Sequence, residues 1–144
     1  MFDFMTVARA LTDENRVRIL MALCEYEMCV CQVTGFLDLA PSTTSKHLSI
    51  LKQARLIESR KKGRWVHYRL ADTQTASPVV RDALLWLSAA VGNSSVVRED
   101  AQRIARILEQ ERQLFGCVDE ESCHSLEIHS VSEAELPTDP SSEN

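Results

Sequence analysis

The chain has 144 residues, a formal net charge of −5 and five cysteines, a length that fits one compact domain with appendages. No window approaches the roughly 18 apolar residues of a membrane span, and the N-terminus lacks the basic, apolar and small-residue order of a secretory signal, so no membrane partner and a cytoplasmic location are expected. An odd number of cysteines without an export signal predicts reduced thiols, not a disulfide framework. The charge is uneven: residues 1–70 carry 11 Lys and Arg against 7 Asp and Glu, residues 71–115 carry 5 against 6, and residues 116–144 carry none against 8. An acidic tail thus masks a basic first half, and within residues 42–69 eight basic side chains face Glu58 alone, a patch able to meet phosphate.

Taken in chain order, residues 2–11 place Phe4, Val7, Ala8 and Leu11 on one helical stripe, and Thr12-Asp13-Glu14 stops and restarts the chain. Residues 14–24 carry Val17, Leu20, Met21 and Cys24 at helical spacing, which assigns Cys24 to the core. A short helix is predicted over Val30 to Leu37, then Asp38-Leu39-Ala40 leads to Pro41 at the first position of the next helix, where its missing N–H costs nothing. That helix, 41–54, buries Thr44, Leu48 and Leu51 and turns Ser42, Thr43, Ser45, Lys46, Ser49 and Lys52 outward. The period then becomes two: Ile57 to Arg60, a Lys61-Lys62-Gly63 turn, and Arg64 to Leu70 with Val66, Tyr68 and Leu70 on one face and His67 exposed on the other, a β-hairpin with a basic tip. Helices follow at 79–91, ended by Gly92-Asn93, and at 96–115, while residues 118–144 are too polar and acidic to offset ordering entropy and are expected to be disordered.

Two helices joined by a tight turn, the second with a small polar and basic outer face, then a basic hairpin, predict a mainly α winged helix-turn-helix with a small β-hairpin. The short side chains of Ser42, Thr43 and Ser45 let a helix N-terminus approach the floor of a major groove. Lys46, His47 and Lys52 extend toward the phosphate backbone, and Arg60, Lys61, Lys62 and Arg64 reach flanking phosphates or the minor groove of double-stranded DNA. Gly63 permits a positive φ at the tip.

The stretches ALTDENRVRILMAL, EMCVCQV, PSTTSKHLSILKQARLIESRKKGRWVHYRL and DALLWLSAAV resemble the ArsR/SmtB family of metalloregulated transcriptional repressors from Phe4 to about Val91. The resemblance implies a homodimer built by the first helix and the 79–91 helix, seated on an inverted-repeat operator and released by an inducer, with no enzymatic activity. It assigns residues 1–92 to DNA binding and dimerisation, leaving an extra C-terminal helix at 93–116 and an acidic tail at 117–144. The chain departs from the family in having Ala40 where a Ser often precedes the recognition helix, so the N-cap hydroxyl is absent or supplied by Ser42.

Cys29 and Cys31 match the family's ELCVC by position. Thiolates are natural ligands for As(III) or Sb(III), and also for Cd(II) or Pb(II). Residues at i and i+2 of a helix point about 200° apart, so both sulfurs reach one ion only if the helix start is unwound or lies outside the helix, and binding is therefore expected to distort this element. Trigonal As(III) needs a third sulfur. The family's third in-helix Cys is replaced by Thr34, so Cys117 and Cys123 are candidates to assist the pair or to form a site of their own, unless the ion accepts two sulfurs and a small ligand. A helix at 79–91 with Asp82 and no His does not support a Zn(II) site there. The competing reading keeps the fold and makes the cysteines a redox or reactive-sulfur sensor. An enzyme would want C-x-x-C or a Cys with a positioned His base, and neither is present.

Overall fold

The structure is a computed structural model and describes residues 1–115. Its elements run α1 (Phe2–Ala10), α2 (Glu14–Leu23), β1 (Met28–Cys29), α3 (Val30–Leu37), α4 (Pro41–Gln53), β2 (Ile57–Lys62), β3 (Trp65–Leu70), α5 (Pro78–Val91) and α6 (Ser95–Phe115). Each predicted helix is present, with ends within about a residue or two of its sequence bounds. Asp13 caps α2 by accepting from the Arg16 N–H at 3.1 Å, and Ser77 caps α5 ahead of Pro78. The N-cap of α4 is Ala40 with no side-chain hydrogen bond, so Ser42 does not supply the absent hydroxyl.

The tight link between α3 and α4 turns on Asp38, which adopts φ 55°, a left-handed conformation that Asp tolerates better than most residues. Ile19, Leu20, Val33, Phe36, Leu48, Leu51 and Leu56 interlock beneath this pair as the centre of the core. Thr44 is fully buried on α4, as its spacing requires, while Ser42, Thr43, Ser45 and Lys46 are exposed along the other side.

The sheet has three strands in the order β1-β3-β2, all antiparallel. The hairpin is longer than the sequence suggests: the ladder continues to Lys62↔Trp65, so Lys61 and Lys62 belong to β2 and the turn shrinks to Gly63 and Arg64, with Gly63 at φ 57°. β1 is new. It contributes two residues to the free side of β3, in the register Met28↔Tyr68 and Cys29↔His67.

Helix α6 lies against α2 and α3. Two contacts fix it: Arg18 holds the buried Asp100 with two 2.7 Å hydrogen bonds, and Gln32 on α3 donates to Glu111 at 2.8 Å. Between them the helices approach so closely that a Cβ at Gly35 would stand 3.2 Å from Ile107 Cδ1. No helix of the described residues is long and apolar enough to cross a membrane.

Candidate functional site

The two sulfurs of EMCVCQV fall on different kinds of backbone. Cys29 ends β1 and is the N-cap of α3, with extended φ −83° and ψ 166°, whereas Cys31 lies in the first turn of the helix. Cys29 is buried and Cys31 exposed, so one sulfur faces the core and the other solvent. The side chains are close enough to hydrogen-bond to each other. Because Cys29 stands outside the helix, both sulfurs converge without unwinding it; the expected helix distortion therefore loses its geometric reason, and the strain of binding falls on the strand end and the cap.

That cap is reciprocal. Gln32 Oε1 accepts from the Cys29 N–H at 2.9 Å, and the Gln32 N–H faces the Cys29 sulfur. Burial pushes the Cys29 thiol up to about 12, reinforced by the hydrogen bond to Cys31 and opposed by the Gln32 N–H. The thiol thus holds its proton at neutral pH, and a soft ion has to displace it. Cys24 is half-buried beside the core and burial raises its thiol too, in keeping with a packing role. Among the described residues no third His, Cys, Asp or Glu joins the pair to complete a metal cluster. Cys117 and Cys123 lie outside the described residues. The structure does bring α6 to the site, since Glu111 bonds the same Gln32 that caps Cys29.

The outer sides of α4 and the wing carry the residues expected to meet DNA, with two changes. His47 does not extend outward. Its side chain is largely covered, with Nδ1 3.9 Å from Asp13 and 3.5 Å from an Arg16 nitrogen, and it joins α4 to the start of α2. Arg60 is engaged by Glu27, with Nε at 2.5 Å from Oε1 and Nη2 at 2.8 Å from Oε2. Lys52 donates to Ser59 at 2.7 Å, linking α4 to β2, while Lys61 and Arg64 are exposed.

His67 is a correction: it is 2% exposed, and neither ring nitrogen has a hydrogen-bond partner among the described residues. Residues paired across a ladder project to the same face, so Cys29, His67 and Arg60 form one row across the sheet. β1 extends the sheet beside β3, the Glu27–Arg60 pair spans its face, and α2 and α3 pack against β3. Burial lowers the His67 pKa, against the pull of Glu27 and with the push of Lys62 and Arg60. Glu27 itself, 6% exposed, was not singled out by sequence reasoning; the only signal was an acid immediately before a strand too short to show periodicity.

A family model described as bacterial regulatory protein, arsR family, matches residues 13–59. The arsenic resistance transcriptional regulator ArsR1 of Pseudomonas putida is 33% identical over 112 residues, 77% of this chain and 84% of that protein. The arsenical resistance operon repressor of Escherichia coli K12 is 42% identical over 64 residues, 44% of this chain and 55% of that protein. Among solved structures, a homodimeric winged helix-turn-helix DNA-binding domain from Mycobacterium bovis superposes with a TM-score of 0.53 at 28% identity, covering 61% of this chain and 78% of that one. The helices, turn and wing described above are the fold of these regulators, and the likeness to ArsR1 runs through most of both chains. The chain therefore belongs to the arsR family of bacterial regulatory proteins, which are transcriptional regulators and not enzymes.

Proposed function

We propose that this chain is a metal(loid)-responsive repressor that binds operator DNA as a homodimer and leaves it when As(III), or a similar thiophilic ion such as Sb(III), Cd(II) or Pb(II), binds Cys29 and Cys31. The observation that carries this reading is the sulfur pair itself. Two neighbouring thiols, one at a strand end and one on the first turn of α3, flank the start of the helix that packs against α4. The names of the relatives point the same way: the P. putida and E. coli proteins are called regulators of arsenic or arsenical resistance.

Cys117 and Cys123 are the further ligands in this reading. Support comes from α6, whose Glu111 is bonded at the cap of Cys29, with Cys117 six residues farther along the chain. Ser42, Thr43, Ser45 and Lys46 would enter the major groove, and Lys52, Lys61, Lys62 and Arg64 would contact phosphates, while Arg60 is held by Glu27. The exposed apolar side chains of Phe2, Phe4, Leu85 and Trp86 on α1 and α5 would form the dimer interface. A buried, strongly protonated Cys29 suits an ion that displaces a proton better than a redox sensor, which needs an accessible low-pKa thiolate.

The test is a mobility shift of the neighbouring promoter DNA against As(III), Sb(III), Cd(II), Pb(II) and Zn(II) in the presence of reductant, repeated with each Cys changed to Ser. Release by peroxide and by none of the ions would replace this reading with the redox one.

A further inference from the structure

We propose that Glu27 is a positioning residue that ties the sulfur pair to the wing, so that the ion signal leaves the site through the sheet as well as through α3. The proposal rests on the repressor reading above. Glu27 immediately precedes β1, and Cys29, two residues on, projects to the same face. Across that face both carboxylate oxygens are held by Arg60 of β2, at 2.5 and 2.8 Å, and Lys62 Nζ stands 4.0 Å away. Cys29 pairs with His67 and His67 pairs with Arg60, so the sulfur and the guanidinium are two strands apart in one row. The Glu27 carboxylate bridges back over β3 to close that row.

The bridge is a two-point, charge-assisted contact between Arg60 and a buried acid, stronger and more directional than a neutral hydrogen bond. It therefore holds the spacing of β1 and β2 firmly. Arg60 and Lys62 lie on the strand that leads into the Gly63-Arg64 turn, which means that Glu27 anchors the root of the basic wing. In this proposal an ion seated on Cys29 and Cys31 competes with the Gln32 N–H for the Cys29 sulfur and shifts it from its buried position. β1 is two residues long and has no slack to absorb that movement before it reaches Glu27. The guanidinium then loses its fixed partner, and the wing changes its pitch against α4. In linkage terms, Glu27 makes the DNA-binding surface differ between the ion-free and ion-bound states.

The experiment uses the full-length protein and arsenite. Operator affinity is measured by fluorescence anisotropy with and without arsenite, and arsenite affinity is measured separately without DNA. In the wild type the two operator affinities should differ by a factor on the order of 5 to 150. Glu27→Gln keeps the side-chain shape and should bind arsenite with unchanged affinity and stoichiometry, while that factor falls by about fivefold or more. An unchanged factor overturns the proposal, and loss of arsenite binding also overturns it, because Glu27 would then belong to the ion site. A wild-type factor of one is a separate outcome: it sinks the repressor reading itself. Should Glu27→Gln not fold, hydrogen exchange on the wild type decides. Arsenite should speed exchange of amides in residues 57–70, and a change confined to residues 30–53 rules the wing route out.

Discussion

Cys29 is where strand and helix meet, and its chemistry follows from that position. Its proton is held by burial, so Cd(II) binding must expel it, and the affinity contributed by this thiol should rise about tenfold per pH unit until the pH nears 12. As(III) presented as its neutral hydroxide behaves differently: the thiol proton leaves with a hydroxide as water, so its affinity should be nearly flat over the same range. Calorimetric titrations of both between pH 6 and 8 would separate them, and a Cd(II) slope unchanged in Cys29→Ser would show that Cys29 is not a ligand. The same shift acts on stability. The folded state keeps a proton that the unfolded state releases, so this contribution is intact below 9.0 and is lost as pH rises toward about 12. Thermal unfolding from pH 8 to 11 should therefore fall off more steeply in the wild type than in Cys29→Ser. Since Ser is a favoured N-cap, that variant should keep operator binding while losing induction, and loss of DNA binding instead would mark Cys29 as structural.

At the scale of the element, the wing and α6 make opposite demands. The wing exposes Lys61 near the end of β2 and Arg64 in its two-residue turn, and basic side chains set against phosphate gain affinity mainly by releasing counterions. Replacing Lys61 and Lys62 with Ala should weaken binding to every DNA sequence and lower the slope of log affinity against log salt by about two per protomer, or roughly four for a dimer, measured by anisotropy; an unaltered slope would take the wing off the phosphates. Helix α6 is instead pinned inward by the Arg18–Asp100 pair, with Asp100 4% exposed. Asp100→Ala leaves Arg18 with its partner gone and should cost about 3 kcal/mol, roughly 6 to 12 °C in thermal midpoint. If α6 instead docks weakly, calorimetry will show no such drop. The hydrogen bond from Arg18 to Asp100, more than their Coulomb attraction, also holds the guanidinium above its ordinary pKa.

At the scale of the molecule, the apolar side chains left outside are concentrated on α1 and α5: Phe2 is 82% exposed, Leu85 61% and Trp86 65%. Such side chains on two helices that touch each other form one surface, which is unfavourable in water unless a second copy covers it. Trp86→Glu should therefore halve the mass seen by sedimentation and lower operator affinity without unfolding the chain; a dimer that survives would move the interface elsewhere. Much of this architecture was legible in the sequence. Helical spacing marked Leu48 and Leu51 as core and Ser42, Thr43 and Ser45 as surface, and Pro41 and Gly63 marked a helix start and a turn. The site was only half legible: the motif picked out Cys29 and Cys31, but nothing local distinguished the buried sulfur from the exposed one.

What the chain determined by itself is its succession of elements, because helical and strand periods, caps and turns are properties of neighbours in sequence. The family resemblance carried by EMCVCQV and the recognition helix is equally local. The tertiary structure alone decided the existence of β1, the burial of His67, the inward turn of His47 and the engagement of Arg60 by Glu27. Each of these depends on a partner more than 30 positions away, and a two-residue strand has no period to read. Pairing with β3 is what makes residues 28 and 29 a strand, and the same pairing sets one cysteine against the core and leaves the other in water.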